Sequence, residues 1–221
     1  MIIQNNSKIV MIGDSVTDCE RVRPVGEGLW GGVGKGYVSL VSAFFHSFFP
    51  EKEIRVVNMG CSGHTVKDLK ARWQTDVFDL NPDWVSILIG VNDVWRQYDS
   101  PLQPELHVYL DEYSKILDEL VKLTLPKVKG LVLMTPYYIE PHTTDDMRAT
   151  MDKYGEVVKT IAEKHNVKCV DLQAAFNNVL QYRHSSFLAW DRIHPNTDGH
   201  MVIARAFLNA VGFEWEKNKK D

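Results

Sequence analysis

The chain has 221 residues, with 25 Lys and Arg against 29 Asp and Glu and a formal net charge of −4. Apolar residues make up 44% and charged residues 24%, an ordinary globular balance with ample chain for one large buried core. A mild acidic excess without a Lys/Arg cluster excludes the electrostatic footprint of a nucleic-acid binder, and the widely spaced Cys19, Cys61 and Cys169 form neither a disulfide framework nor a CxxC metal site.

Met1 to Lys8 carries no basic segment followed by a long apolar run, so no signal peptide is expected. No stretch approaches the roughly 18 consecutive apolar residues of a membrane span. The expectation is a reduced, cytoplasmic compartment with no membrane partner, in which a polymeric substrate arrives as short imported pieces.

From there, short β-branched apolar runs alternate with longer amphipathic segments. Lys8 to Ile12 predicts the first strand, and Gly36 to Phe49 a helix. Ile54 to Asn58 and Trp84 to Ile89 predict the next two strands. Tyr109, Tyr113, Ile116, Leu117, Leu120 and Val121 fall at i, i+3, i+4 spacing, so a helix precedes the fourth strand, Val128 to Met134. Met147, Met151, Tyr154, Val158, Ile161 and Ala162 repeat that spacing, with Thr143 and Thr144 as cap candidates and Asp145 and Asp146 in the first turn. Val167 to Asp171 predicts a fifth strand, and Thr197 to Ala210 a last helix. Glu216 to Asp221 reads as a charged tail.

Each strand is short and nearly continuous in Val, Ile, Leu and Met, as strands buried on both faces are. The alternation implies right-handed crossovers. The predicted fold is therefore a three-layer α/β/α, doubly wound, five-stranded parallel sheet of flavodoxin-like order 2-1-3-4-5, in a single domain spanning 1–221. Ligands of such sheets bind at the carboxyl edge of the strands. Three long connections are expected there, Val16 to Lys35, Asp93 to Leu106 and Pro136 to Thr144.

The strand ends carry the chemistry. The first ends in Gly13-Asp14-Ser15, the second in Asn58-Met59-Gly60-Cys61-Ser62-Gly63 and the third in Gly90-Val91-Asn92-Asp93; Asp191-Arg192-Ile193-His194-Pro195 follows the fifth. A serine hydroxyl attacks only when a neighbouring base takes its proton, and His194 is the candidate base. Asp191, three residues earlier, can hold the other ring nitrogen and set the tautomer. Backbone N–H groups of Ser15 and Gly60 and the Asn92 amide are candidate donors for a developing oxyanion. Separately, each piece has a plainer reading. Asp14-Ser15 and Asn92-Asp93 can be helix caps, Gly60 a turn glycine, and Asp191 with His194 a surface pair. Together at one edge they match the needs of acyl transfer.

No Gly-x-Ser-x-Gly elbow is present, which disfavours an ordinary α/β-hydrolase. His194 with His200 and Asp191 lacks metal-ligand spacing, so no metal is expected. Cys19 and Cys61 are rival nucleophiles only in the weak sense that they fall near the same edge.

The four blocks, in this order, resemble the SGNH subgroup of the GDSL esterase/lipase family, with Val16 standing where the family name expects Leu. The resemblance runs from Ile9 to about Phe207. It implies Ser15 as nucleophile, His194 as base, Asp191 as its orienting acid, and Ser15, Gly60 and Asn92 as oxyanion donors. Longer stretches, Thr17 to Pro24, Gly90 to Tyr98 and Leu188 to Pro195, are similar to intracellular acetyl xylan esterases of that family. That similarity implies deacetylation of small acetylated xylo-oligosaccharides without a cofactor, and a homo-oligomer.

Trp95, Tyr98 and Trp190 flank Asn92 and Asp191. With Arg96, they are the expected sugar contacts, flat rings beside polar groups. Trp73, Trp84 and Trp215 are assigned to packing or subunit contact. The competing readings are another small-acyl esterase, a thioesterase or a lysophospholipase, and, from a different class, a catalytically silent sugar-binding module.

Overall fold

In the computed structural model, which describes residues 1–216, five strands form one sheet in the order β2-β1-β3-β4-β5. They are β1 (Lys8–Gly13), β2 (Arg55–Gly60), β3 (Trp84–Leu88), β4 (Gly130–Met134) and β5 (Lys168–Val170). Every neighbouring pair is parallel. The predicted sheet and its order are the ones found. Of the expected tail, residues 217–221 lie outside the described residues. Among the described residues no helix is long and apolar enough to cross a membrane.

Alternate side chains along each strand enter opposite cores, which is why the strands read as continuous apolar runs. Ile9, Met11 and Val56 join one cluster, roofed by α2 (Tyr37–Phe48), α8 (Leu172–Leu180) and α9 (Thr197–Ala210). Val10, Ile12 and Val57 join the other. That second face is covered by α3 (Val66–Ala71), α4 (Trp73–Asp76), α5 (Val91–Asp99), α6 (Leu110–Thr124) and α7 (Asp146–Lys164). Val16, in the four-residue helix α1 (Ser15–Asp18), is buried in the first cluster.

Two local expectations change. The connection expected over Asp93 to Leu106 is largely helical, because α5 runs over Val91–Asp99 and buries only Val91 to Val94. A nine-residue helix with so narrow a buried stripe looks like a polar loop in sequence. The cap of α7 is Asp145, whose carboxylate accepts the Arg148 N–H at 2.9 Å, rather than Thr143 or Thr144.

The tryptophans divide. Trp73 and Trp84 are buried packing residues, and the Trp73 indole N–H donates to Thr124 Oγ1 at 3.1 Å. Trp215 packs edge-on against Phe44 and tilted against Phe213, with centroids 5.2 and 4.8 Å away.

What the sheet does for function is set by register. Gly13 at the end of β1 pairs with Gly60 of β2 on one side and Leu88 of β3 on the other. The segments that follow these three strands therefore leave the sheet side by side.

Candidate active site

Asp14 caps α1 by accepting the Val16 N–H at 3.0 Å, which turns the chain sharply out of β1 and puts Ser15 at the first helical position. The last part of the site comes from far along the chain. Leu188 to Asn196 forms a loop closed at its base by the Ala189–Pro195 bridge and by the Asn196 N–H on the Leu188 carbonyl at 2.7 Å. At its tip the Asp191 carboxylate binds its own turn. Oδ1 accepts the N–H groups of Ile193 at 3.0 Å and His194 at 2.8 Å, and Oδ2 meets His194 Nδ1 at 2.5 Å. Burial raises the Asp191 carboxyl, but these donors outweigh it and hold the group below the usual carboxylate range. An ionised carboxylate only accepts, so Nδ1 carries the ring proton and Nε2 presents a lone pair. That lone pair faces Ser15 Oγ at 2.9 Å.

Asn92 lies in the first turn of α5, and Gly90 makes that turn possible. Its φ of +127° is open to glycine alone, and a Cβ there would press on Pro136 and the Tyr113 hydroxyl at 3.0 Å. The buried Asn92 side chain donates from Nδ2 to the His64 carbonyl at 3.0 Å and accepts from Arg96 Nη2 at 3.2 Å. One Nδ2 hydrogen is left over. The turn after β2 and the start of α5 are thus tied together beside Ser15.

Gly60 is not where the sequence suggested. Its N–H is spent on Asn58 Oδ1 at 2.8 Å, and a Cβ on it would meet the Asp18 nitrogen at 2.1 Å. Gly60 is a glycine because the end of β2 packs directly against the α1 backbone, and its N–H is withdrawn from the rim. Three residues on, Gly63 is exposed at φ +81° with open space around it, next to the His64 carbonyl that holds Asn92. Gly63 is the glycine at the rim.

Several supports have no motif. Buried Asn58 donates to the carbonyls of Thr17 at 2.6 Å and Val33 at 2.8 Å. Arg72 bridges the ends of two strands, donating to the carbonyls of Gly13 at 2.9 Å and Met59 at 2.7 Å. Arg21 ties its own loop to the end of β2, donating to the carbonyls of Gly60 at 2.7 Å and Pro24 at 2.8 Å. Local polar residues next to each strand end are legible in sequence; their partners are not.

Two carboxyls beneath the site are wholly buried. Burial pushes Asp14 up to about 7, against the pull of the Val16 N–H, His194 and Arg72. It does the same to Asp93, also to about 7, with the Asp14 charge adding to the rise. In each, Oδ1 accepts a backbone N–H, from Val16 or Val66, while Oδ2 has no partner among the described residues. His200 is driven down to about 4 by burial and then by His194. Its Nδ1 accepts the Tyr37 N–H at 3.2 Å and its Nε2 faces Cys19 Sγ at 3.5 Å, so it is turned to the core and away from any shared ligand set with His194. Burial likewise pushes the Cys19 thiol up, opposite to what a thiolate nucleophile needs.

The cleft at Ser15 and His194 is walled by Arg21, Arg23, Ser62 and Pro195. Arg23 is fixed there by Asp18, with contacts of 2.5 and 3.1 Å, and Asp18 also holds the Ser62 hydroxyl at 3.1 Å. Trp95 stands edge-on to the His194 ring with centroids 5.7 Å apart, and the Arg96 guanidinium lies 4.8 Å over the indole. Tyr98 spends its hydroxyl on α7, donating to the Asp146 carbonyl at 2.8 Å. Trp190, next to Asp191, is 93% exposed. Of the four expected sugar contacts, Trp95 alone touches the His194 ring, and Arg96 reaches the site through Asn92. A wider cleft at the opposite, amino-terminal edge, around Ile2, Gln4, Trp84 and Lys168, is lined by no serine, histidine or carboxylate.

The model of the GDSL-like Lipase/Acylhydrolase family matches residues 11–202, the span that contains Ser15, Asn92, Asp191 and His194. The chain belongs to that family. GDSL relatives agree over nearly the whole length. The acetylxylan esterase of Geobacillus stearothermophilus is 57% identical over 219 residues, 99% of this chain and 100% of that protein. The crystal structure of that enzyme, Axe2, superposes with a TM-score of 0.98 over the same shares of both chains. Its solved forms include catalytic mutants in which a serine, an aspartate or a histidine is replaced by alanine. LAE5, an α/β hydrolase enzyme from the metagenome of Lake Arreo, Spain, is 54% identical over 96% of this chain and 98% of its own, at a TM-score of 0.95. This GDSL chain is accordingly a carboxylic ester hydrolase of the serine type.

Proposed function

We propose that this protein removes acetyl groups from xylo-oligosaccharides through an acetyl-enzyme formed on Ser15. The observation that carries the reading is the unbroken line from Asp191 Oδ2 through His194 to Ser15 Oγ, at 2.5 and 2.9 Å. In the first half-reaction Ser15 Oγ bonds to the acetyl carbon as its proton passes to His194 Nε2. The carbonyl oxygen becomes an oxyanion facing the Ser15 N–H, the remaining Asn92 Nδ2 hydrogen and, in place of Gly60, the Gly63 backbone. The C–O bond to the sugar breaks as His194 returns the proton to the leaving oxygen. Water then gives a proton to His194 while attacking the acetyl carbon. Collapse releases acetate, and the proton returns to Ser15 Oγ.

The sugar preference rests on two supports. One is the 57% identity to an acetylxylan esterase, also described as an acetyl-xylooligosaccharide esterase. The other is a cleft walled by arginine, serine and carboxylate side chains, which suits a polar alcohol better than a fatty acyl chain. Trp95, Arg96, Tyr98 and Trp190 belong to the proposal as contacts along the oligosaccharide. Trp95 packs against the acetylated residue, and the exposed Trp190 sits further out. A single domain, a cytoplasmic setting and assembly of identical copies are parts of the same reading, and sedimentation of the purified chain tests the last.

The deciding experiment is a rate panel on acetylated xylo-oligosaccharides, an acyl-CoA and a lysophospholipid, with labelling by a serine-directed phosphonate. The expected result is stoichiometric label on Ser15 and the highest kcat/KM on the acetylated sugar. A preference of orders of magnitude for the thioester or the lipid overturns the substrate, and absence of label on folded protein overturns the esterase.

A further inference from the structure

The Asp191–His194 turn carries backbone strain at its centre. Arg192, between the two candidate catalytic residues, has a φ of +64°, a left-handed conformation that an arginine adopts at a cost. The turn belongs to an exposed loop, and Asp191 and His194 themselves are 37% and 43% exposed. The Asp191 bonds within the loop hold part of this shape, and groups outside it hold the rest. The segment that follows β4 does so from three directions. The buried Tyr137 hydroxyl donates to the Ile193 carbonyl at 3.0 Å. The Ile139 N–H donates to the Arg192 carbonyl at 2.9 Å. The Glu140 carboxylate, only 6% exposed, pairs with Arg192 Nη1 at 2.6 Å.

This strap is itself anchored in the core. The Tyr137 ring packs on Phe176 of α8 with centroids 4.5 Å apart. The Glu140 carbonyl accepts from the buried Arg148 of α7, whose Nε is held by Asp152 at 2.9 Å. The second Glu140 carboxylate oxygen accepts the His142 N–H at 2.9 Å. The Tyr138 N–H reaches Gln173 Oε1 at 2.8 Å. Both helices thus brace a strap that meets the turn at two residues, Arg192 and Ile193.

We propose that Tyr137 and Glu140 are positioning residues for His194, holding the left-handed Arg192 turn so that Nε2 stays in line with Ser15 Oγ. The inference rests on the esterase reading above and deepens it. Neither side chain touches the reacting atoms. Tyr137 fixes the Ile193 carbonyl and Glu140 the Arg192 side chain, both in the turn on whose geometry proton transfer depends, and a misplacement of about 1 Å at such a site costs on the order of 100-fold.

The test compares Tyr137→Phe, which keeps the ring on Phe176 and deletes the hydroxyl, with Glu140→Gln, which keeps the shape and deletes the charge. The expected result for each is a kcat lowered about 10- to 100-fold with KM changed by less than about twofold, because binding is left intact while the transition state loses its base. The low-field proton resonance of His194 Nδ1 should exchange faster in both variants while their far-ultraviolet spectra stay native. Wild-type kcat with an unchanged resonance overturns the inference. So does a kcat loss that merely follows KM and melting temperature, which marks a structural role. If Tyr137→Phe fails to fold, Glu140→Gln decides alone. Phosphonate labelling of the wild type separates the two levels. An unlabelled Ser15 sinks the esterase itself, whereas a labelled Ser15 with fully active variants sinks only the strap.

Discussion

Ser15 Oγ and His194 Nε2 stand 2.9 Å apart across 179 residues of sequence. The contact closes because β1 delivers Ser15 to the centre of the sheet edge while the loop before α9 brings His194 back over it. If that contact generates the nucleophile, Ser15→Ala removes it without disturbing the cap, since Asp14 accepts from Val16 rather than from Ser15. The expected loss in kcat is on the order of 10⁶-fold, the scale of nucleophile removal in serine hydrolases. Calorimetry should find oligosaccharide binding within a small factor of the wild type. Turnover retained at more than about a hundredth of the wild-type value would take Ser15 out of the nucleophile role.

Asp191→Asn isolates the tautomer. The Asn carbonyl oxygen can still accept the Ile193 and His194 N–H groups, as Asp191 Oδ1 does at 3.0 and 2.8 Å, so the turn keeps its shape. Its NH₂ then faces His194 Nδ1, a donor meeting what was a donor. The ring proton is driven to Nε2, where no lone pair is left for Ser15. The expected fall in kcat is up to about 10,000-fold, with the melting temperature nearly unchanged. A fall of only a few-fold would mean that a group other than the carboxylate sets the tautomer.

Asn92→Ala separates oxyanion stabilisation from nucleophile activation. It deletes the Nδ2 donor and also frees the His64 carbonyl and Arg96 Nη2. The expected kcat loss is about 100- to 1,000-fold, while phosphonate labelling of Ser15 is slowed and not abolished. Asn58→Ala should behave differently. Asn58 is fully buried and serves the Gly60 N–H and the carbonyls of Thr17, Asp18 and Val33. Removing it orphans several buried groups at about 1–3 kcal/mol each, so the melting temperature should drop well before any specific catalytic defect is resolved. Equal thermal losses in the two variants would contradict this division.

The sheet, Ser15 and the Asp191–His194 pair were readable because each leaves a local trace: apolar runs on strands buried on two faces, a polar residue directly after β1, and a carboxylate three residues before a histidine. The choice of glycine did not. Gly60 and Gly63 are three residues apart in one segment, and only the Asn58 side chain, folded back on the Gly60 N–H, decides which glycine is left at the rim. Tyr137 was equally hidden, since its partner carbonyl on Ile193 lies 56 residues away and a tyrosine after a strand carries no mark of its bond. The helix α5 was hidden for a third reason, its narrow buried stripe being shorter than one heptad.

Asp14 and Asp93 give the stability of the protein a pH dependence whose sign follows from burial. Both carboxyls are pushed from 3.8 up to about 7 in the folded chain. The folded state therefore holds their protons more tightly than the unfolded state does. The stabilisation is full below about pH 4 and is lost as pH rises through about 7, with a limiting slope of about 1.4 kcal/mol per pH unit for each group. The two lie close enough for the Asp14 charge to raise Asp93, so they titrate as a coupled pair, and removing one charge should ease the other. Thermal melts from about pH 5 to about pH 8 are expected to show a falling melting temperature in the wild type and a flatter course in Asp93→Asn. The asparagine keeps an oxygen for the Val66 N–H, now 3.0 Å from Asp93 Oδ1, and resembles the neutral acid. An Asp93→Asn profile with the full wild-type slope would show that these carboxyls are not the groups being titrated.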